Sequence, residues 1–213
     1  MKTLILIPSR LAATRLPGKP LLKIDGLSII SHVVRKAKKA NIGEVIVAAE
    51  DQEIVDDVES NGGKAILTNN QHKTGTDRIY EALKKSKLQD IDLVMNLQGD
   101  EPLMHIEDIK SLNNHMIKNK SQLGTLASII SDKNSHSNSS VVKVKTAKRL
   151  SDTSFPEALD FIRKSNEKTI NIYHHLGIYC YQTEILRKFV SFEQSYNEKQ
   201  RSLEQIRALD NGI

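Results

Sequence analysis

Cysteine and long apolar runs are nearly absent from this sequence of 213 residues. The lone cysteine, Cys180, excludes an internal disulfide framework and a cysteine-based zinc site, and it fits a reducing cytoplasm. No apolar run reaches the ~20 residues that span a bilayer, and Met1-Lys2-Thr3 leads into a strand rather than a signal peptide. We therefore expect a cytoplasmic chain without membrane insertion.

Aromatic residues are also scarce, at 4% of the chain, and there is no tryptophan. The formal net charge of +5 is modest, and the basic residues are scattered. Because the sequence offers no stacking platform for bases, it argues against a nucleic-acid partner. The positive charge is left to be explained by a phosphate-rich small ligand or by ordinary surface lysines.

Short apolar runs alternate with amphipathic stretches in the first part of the chain. We predict four strands and four helices there: strands at 4–7, 44–49, 64–68 and 92–97, and helices at 27–40, 51–60, 77–87 and 105–119. This alternation predicts an α/β fold, a doubly wound and mostly parallel sheet flanked by helices, in a single domain. Ligands of such sheets lie beyond the carboxyl ends of the strands, which directs the search to the loops after Ile7, Thr68 and Leu97.

The pattern changes at Thr125. We predict, in order, a strand at 125–130, a polar loop at 131–140, an apolar–lysine alternation at 141–144, a strand at 176–181, and helices near 183–190 and 198–210. The alternating segment fits either an antiparallel edge strand or a small subsidiary sheet. A small subsidiary antiparallel region is therefore expected beside the main sheet.

The first loop, ILIPSRLAATRLPGKPLL, brings three cations close together in sequence. Arg10, Arg15 and Lys19 follow the first strand, and Gly18 permits close approach of the backbone. Cationic side chains and free N–H groups together bind anionic oxygens such as those of a triphosphate. Basic loops are also common on surfaces, so this loop alone fits an anion cradle or a solvated loop about equally well.

The second loop, HKTGTDR, precedes the third predicted helix. Gly75 lies between two threonines whose hydroxyls, with the backbone, offer hydrogen bonds to a sugar or a base edge. Thr76 fits a plain helix N-cap better when taken alone, with Asp77 beside the positive end of the helix dipole. Arg78 is either structural or a ligand contact.

The third loop, NLQGDEP, follows the fourth predicted strand. Gly99 permits a tight turn that exposes Asp100 and Glu101 at the carboxyl edge of the sheet. Mg²⁺ is commonly held by one or two carboxylates together with substrate phosphates. Turns rich in Asp and Gly are routine, so this motif alone is weak evidence for a metal site. The stronger evidence for a binding site is the combination of all three loops at consecutive strand ends.

Three segments, IPSRLAATRLPGKPLL, HKTGTDRI and VMNLQGDEP, resemble the signature segments of the CMP-Kdo synthetase (3-deoxy-manno-octulosonate cytidylyltransferase) family. The resemblance continues through HHLGIYCY and SLEQIRALDNGI and covers essentially the whole chain. It implies a nucleotide-diphospho-sugar transferase-like fold. It also implies transfer of CMP from CTP to 3-deoxy-D-manno-octulosonate (Kdo), with pyrophosphate released, for lipopolysaccharide biosynthesis. Mg²⁺ as cofactor and a cytoplasmic homodimer follow from the same resemblance.

The resemblance also implies roles for single residues. The catalytic set comprises the triphosphate-binding cations and the metal ligand: Arg10, Arg15, Lys19 and Asp100, of which Asp100 holds the metal. The set around the cytidine and its junction with the sugar is Pro8, Ser9, Thr74, Gly75, Thr76, Arg78 and Gln98. The set on the sugar-acid side is Arg163, His175, Tyr179, Glu204 and Gln205. The region at about 131–182 would serve dimerisation and the sugar side.

Two features depart from the family pattern. That pattern continues beyond the equivalent of Ile213 with a Gly-Val-Asp-Thr-Pro-Glu-like segment whose aspartate is a second metal ligand. For these 213 residues we therefore expect nucleotide binding, with full turnover depending on that ligand. The family also has arginine at the position of His174. Neighbouring strand residues point to opposite faces, so only one of His174 and His175 is expected to be functional, and the motif favours His175.

Two alternatives stay open from the sequence. One is a cytidylyltransferase for another sugar acid, such as sialic acid, whose family resembles the first loop more loosely. The other is a truncated or inactive nucleotide-binding form. No side chain is an obvious general base, so activation of the attacking hydroxyl is assigned to the metal.

Overall fold

The computed structural model describes residues 1–12, 16–132, 134–153, 155–165 and 170–213. The chain divides into two units: unit 1 is Met1–Gly124 with Ile178–Val190, and unit 2 is Thr125–Gly177 with Ser191–Ile213. No helix in the described ranges is both long enough and apolar enough to cross a membrane.

The elements of the first part of the chain belong to unit 1. In chain order they are β1 (Thr3–Ser9), β2 (Lys23–Ile24), β3 (Leu27–Ser28), α1 (Ile29–Ala40), β4 (Gly43–Ala49), α2 (Gln52–Ser60), β5 (Ala65–Leu67), α3 (Gly75–Lys85), β6 (Leu93–Asn96) and α4 (Ile106–Asn119). A short 3₁₀ turn at Lys19–Leu21 lies between β1 and β2, and β2 and β3 form a separate two-stranded antiparallel ribbon.

The remaining elements follow in chain order. They are β7 (Leu123–Ser128), α5 (Asn134–Ser137), β8 (Lys143–Thr146), β9 (Ala158–Ile162), β10 (Ile172–Gln182), α6 (Thr183–Ser191), α7 (Tyr196–Arg201) and α8 (Ile206–Asp210). The long strand β10 passes through both units, since unit 1 resumes at Ile178.

The sheet of unit 1 is parallel through four strands, in the order β5-β4-β1-β6. Strand β1 lies in the middle, with Ile5 opposite Val45 on one side and Met95 on the other. The second half of β10 joins β6 in the antiparallel sense. The apolar run of β1 is fully buried because helices such as α3 pack against a strand that is apolar on both faces. The predicted mostly parallel α/β sheet is confirmed.

Helix starts differ from the predicted ones by two residues in two places. Helix α1 begins at Ile29, since Leu27 pairs in β3 and the Ser28 hydroxyl caps the helix by accepting from the Ser31 N–H. Helix α3 is capped by Thr74, whose Oγ1 accepts from the Asp77 N–H at 3.1 Å. The expectation that Thr76 is the N-cap is therefore wrong, because Thr76 lies inside the first helical turn.

Unit 2 contains a small antiparallel sheet in which β8 lies between β9 and the first half of β10. Its core includes Val144, Phe161, Leu203 and Ile206. The helix predicted at 198–210 is two helices, α7 and α8, because Ser202 takes a left-handed conformation (φ 52°) that ends the first. The predicted polar loop at 131–140 contains the short helix α5, and β10 begins four residues before the predicted strand.

Candidate active site

The three loops singled out in the sequence meet at one end of the unit 1 sheet, after β1, β5 and β6. They line a cavity of about 320 Å³. The lining residues are Pro8, Ser9, Arg10, Lys19 and Pro20 from the first loop, His72, Lys73, Thr74, Gly75 and Arg78 from the second, and Gln98, Gly99 and Asp100 from the third. The position matches the rule for parallel sheets, in which ligands lie beyond the carboxyl strand ends. We call this space the cleft.

Two glycines allow the second and third loops to pack on the first. A Cβ atom on Gly75 would lie 3.3 Å from the Pro8 ring, which is tight. A Cβ atom on Gly99 would lie 2.9 Å from the Pro8 carbonyl oxygen and 3.1 Å from Ile30. Pro8 is thus the point at which all three loops converge, and side chains at these glycines would push the loops apart.

The first loop is anchored by Asp51, the N-cap residue of α2. Its side chain makes no capping bond to its own helix; Oδ2 instead accepts from the Leu11 N–H at 2.8 Å. The Glu50 N–H donates to the Ser9 carbonyl at 3.0 Å on the other side of Arg10. Arg10 is therefore flanked by two backbone anchors. Arg15 falls outside the described residues, so its predicted role stays a prediction.

Lys19 and Asp100 form an ion pair in the cleft, with Nζ 2.7 Å from Oδ2. The Lys19 side chain is 33% exposed and that of Asp100 is 50% exposed, so the pair contributes at most about 1 kcal/mol. Both groups are therefore available to a charged ligand. The neighbouring Glu101 is exposed and does not line the cleft.

The donor set of the cleft fits a cation that is shared with a substrate. In the part of the chain that the structure describes, no group of three His, Cys, Asp or Glu side chains could hold a metal ion by itself. Asp100 supplies one accessible carboxylate, and Mg²⁺ typically combines one or two carboxylates with substrate phosphates and water. The residues present thus fit Mg²⁺ bound together with a polyphosphate.

Arg78 lines the cleft but is engaged by protein partners. Its guanidinium is buried, forms an ion pair with Glu50, and donates to Thr68 Oγ1 at 2.7 Å and to the Asn69 carbonyl at 3.2 Å. It ties the loop after β5 to the end of β4, and its predicted contact with the nucleotide stays a prediction. Thr76 is buried as well and does not line the cleft.

His72, Lys73 and Pro20 also line the cleft, although their residue types alone predict no role for them. The sequence signal that could have identified them is their position inside the motifs HKTGTDR and IPSRLAATRLPGKPLL. Lys73 adds a cation to Arg10 and Lys19, so the lining is predominantly basic around one carboxylate. Such a cleft attracts a polyanion and leaves one position for a divalent cation.

Comparisons with known proteins agree with this chemistry. The family model for cytidylyltransferases matches residues 4–213. The 3-deoxy-manno-octulosonate cytidylyltransferase of Nitrobacter winogradskyi is 41% identical over 218 residues, covering 100% of this chain and 84% of that protein. Its counterpart from Thermodesulfovibrio yellowstonii is 42% identical over 224 residues, covering 100% of this chain and 88% of that protein. This chain belongs to the 3-deoxy-manno-octulosonate cytidylyltransferase family.

A solved structure of a CMP:2-keto-3-deoxy-manno-octonic acid synthetase complexed with CTP has the same fold. Its TM-score against this chain is 0.89 at 36% identity, and the match covers 100% of this chain and 87% of that one. The family that the three motifs predicted is thereby confirmed.

The residues predicted for the sugar-acid side lie at several places. Tyr179 is in the unit 1 half of β10, opposite Asn96. Arg163 belongs to unit 2, where it donates to the carbonyls of Arg201 at 2.9 Å and Ser202 at 2.7 Å. Glu204 and the buried Gln205 precede α8 in the same unit. The roles of these residues toward a sugar acid stay predictions.

His175 is buried in unit 2. Its ring packs edge-on against Phe161 at 5.1 Å, and Nε2 lies 3.0 Å from Thr125 Oγ1. Burial, and to a lesser extent the neighbouring charge of His174, lowers the pKa of His175 to about 4. The imidazole is therefore neutral at physiological pH. Its contact with a sugar acid stays a prediction.

Proposed function

We propose that this chain transfers the cytidylyl group of CTP to Kdo, giving CMP-Kdo and pyrophosphate. The observation that carries the proposal is the basic cleft of unit 1 with Asp100 facing Lys19, in a chain that belongs to the 3-deoxy-manno-octulosonate cytidylyltransferase family. The product would supply activated Kdo for lipopolysaccharide biosynthesis.

The reaction forms one bond and breaks one bond at the α-phosphorus of CTP. The anomeric hydroxyl oxygen of Kdo attacks that phosphorus, and the bond to the β-phosphate bridging oxygen breaks in line. Pyrophosphate leaves with the bonding electron pair, and the hydroxyl proton passes to solvent. Positioning and neutralisation of the growing negative charge supply most of the catalysis in such transfers.

The cleft residues divide these tasks. Arg10 and Lys19, which line the cleft, are proposed to bind the β- and γ-phosphates, and the family resemblance adds Arg15 to them. Thr74 and Gly75 frame the nucleoside at the start of α3, with Pro8 and Ser9 opposite them. We propose that Gln98 lies at the junction of nucleotide and sugar. We leave Thr76 out of the proposed contacts.

Asp100 would hold Mg²⁺ on the phosphate side of the cleft. When bound, the ion neutralises phosphate charge and lowers the pKa of a coordinated hydroxyl. The exposed carboxylate of Asp100 and its position beside Lys19 support this assignment. If the Lys19 ammonium left Asp100 and paired with a phosphate oxygen, the Asp100 carboxylate would be free to bind the metal.

We further propose a cytoplasmic homodimer in which the region at 131–182 serves dimerisation and the sugar side. Arg163, His175, Tyr179, Glu204 and Gln205 are the candidates for contact with Kdo. This part of the proposal rests on the family resemblance. Light scattering coupled to gel filtration tests it, and a monomer at micromolar concentration would refute the dimer.

Pyrophosphate release across a matrix of substrates tests the proposed reaction. Each of the four ribonucleoside triphosphates is incubated with Mg²⁺ and with Kdo, sialic acid or no acceptor. Pyrophosphate release only in the reaction that contains both CTP and Kdo supports the proposal. Release with CTP and sialic acid would change the acceptor, and CTP binding without release under any condition would indicate a nucleotide-binding form.

A further inference from the structure

His72 lies in the wall between two cavities of unit 1. On one side it lines the cleft next to Thr74 and Gly75. On the other side it lines a second cavity of about 620 Å³, together with Asn69, Tyr80 and Glu81. The His72 side chain is 23% exposed, so part of the ring is open to ligand while part is held by protein.

Glu81 of α3 holds the His72 ring from the side of the second cavity. Its Oε2 accepts from His72 Nε2 and, at 3.0 Å, from the Asn69 N–H. Its Oε1 pairs with Lys85 Nζ at 2.7 Å, one helical turn further on. Glu81 itself does not line the cleft. Glu81 therefore reaches a ligand in the cleft by contact only through one of these partners.

The charge state of Glu81 determines which ring nitrogen of His72 carries hydrogen. Burial raises the pKa of Glu81, but hydrogen bonds from Lys85, His72 and the Asn69 backbone outweigh it and lower the pKa to about 2. The carboxylate is thus ionised at physiological pH, and an ionised carboxylate only accepts hydrogen bonds. His72 Nε2 must therefore bear the proton, which leaves Nδ1 as the ring nitrogen for other partners.

We propose that Glu81 is a positioning residue for nucleotide binding, which fixes the orientation and tautomer of His72 so that the ring contacts CTP in the cleft. The inference rests on the proposed function, because it takes CTP as the ligand of the cleft. It adds a nucleotide contact, His72, and a supporting residue outside the cleft to the residues named above. The imidazole–carboxylate pair is the geometry that holds histidine rings in one orientation elsewhere in proteins.

A simpler role for Glu81 is to hold the loop after β5 on α3 through the hydrogen bond from the Asn69 N–H. The two roles differ in one respect. If Glu81 acts through His72, its removal has no effect on CTP binding once His72 is gone. If it only staples the loop, its removal weakens binding equally with or without His72.

A double-mutant cycle on CTP affinity, measured by calorimetry with Mg²⁺ present, separates these roles. His72→Ala and Glu81→Ala are each expected to weaken CTP binding about 3- to 10-fold, the range for one lost hydrogen bond. The double variant is expected to bind CTP within about twofold of His72→Ala alone. Glu81→Gln keeps an acceptor for Nε2–H and should restore part of the affinity. Should Glu81→Ala fail to fold, Glu81→Met replaces it in the cycle.

Two control variants accompany the cycle. Lys85→Met removes the lysine that pairs with Glu81 and should leave CTP affinity within about twofold of the wild type. Glu107→Gln changes an exposed helix glutamate paired with Lys110 and controls for loss of a carboxylate. If Glu81→Ala still weakens CTP binding in the His72→Ala background, or if Glu81→Ala alone binds CTP with wild-type affinity, this inference is overturned while the proposed function stands. Absence of CTP binding by the wild-type chain would overturn the proposed function and this inference together.

Discussion

Lys19 Nζ lies 2.7 Å from Asp100 Oδ2, although the two residues are 81 positions apart in the chain. The basic loop after β1 and the acidic turn after β6 therefore face each other across the cleft. Because both side chains are partly exposed, the pair is weak enough to open for a polyphosphate and a cation. This relationship connects the two most informative sequence motifs to one chemical site.

Replacing Asp100 by Asn is expected to lower the rate of pyrophosphate release at least about 100-fold, because the substitution removes the charged ligand proposed for Mg²⁺. Its thermal midpoint should stay close to that of the wild type, since the side chain is half exposed. Glu101→Gln, one residue further along and outside the cleft, is the matched control and should keep its rate. An unchanged rate in Asp100→Asn would refute the metal assignment.

The anchor between Asp51 and Leu11 is expected to matter for CTP affinity. Asp51→Ala removes the acceptor for the Leu11 N–H and should raise the KM for CTP about 3- to 10-fold, with a smaller change in kcat, because Arg10 loses its fixed position. Asp51→Asn retains a side-chain oxygen and should behave nearly as the wild type. Steady-state kinetics with varied CTP measure the effect. Equal KM values for the alanine variant and the wild type would show that the anchor is dispensable.

Ser9→Ala is expected to stabilise the protein. The Ser9 hydroxyl is buried and, among the described residues, has no hydrogen-bond partner, so its removal should raise the free energy of unfolding by about 1 kcal/mol. Ser31→Ala is the matched control: that hydroxyl is also buried but donates to Asp57 at 3.0 Å, so its loss should destabilise. Urea unfolding monitored by circular dichroism measures the free energy of unfolding of both variants and of the wild type. A less stable Ser9→Ala variant would contradict this account of the hydroxyl.

The buried His175 predicts how stability depends on pH. The folded pKa of about 4 lies below the ordinary value of 6.5, so the unfolded chain binds a proton between these limits while the folded chain does not. Protonation of the unfolded chain therefore lowers the free energy of unfolding as the pH falls from 6.5 to about 4. The stability that is present above pH 6.5 and lost over this range is about 3 kcal/mol.

His175→Gln should therefore flatten the profile of unfolding free energy between pH 6.5 and 4. The measurement is urea unfolding at half-unit pH steps for both proteins. His105→Gln, at an exposed position, serves as the matched substitution. Identical slopes for the wild type and His175→Gln would disprove the burial argument.

The main sheet and the cleft were predictable from the sequence because their signals are local. Apolar runs such as Leu4–Ile7 need only their own composition to be read as buried strands, and parallel strands bring their following loops to one edge. The sequence therefore predicts Lys19 and Asp100 at the same edge of the sheet, where the structure shows them in contact. The family followed from the same motifs.

Features that depend on contacts across loops were not predictable. The cap of α3 is Thr74 rather than Thr76, and both threonines suit an N-cap by residue type. The pairing of His72 with Glu81 joins a loop to a helix nine positions later, a spacing with no periodic signature. The break between α7 and α8 rests on a left-handed Ser202, which no local propensity indicates.

The most direct test of the central claim is a crystal structure of this chain with CTP and Mg²⁺. The account predicts the nucleotide in the unit 1 cleft, with triphosphate oxygens within hydrogen-bonding distance of Arg10 and Lys19 and the cytidine beside Thr74 and Gly75. Asp100 should contact the metal. CTP bound at any other surface, with no density for it in this cleft, would contradict the account.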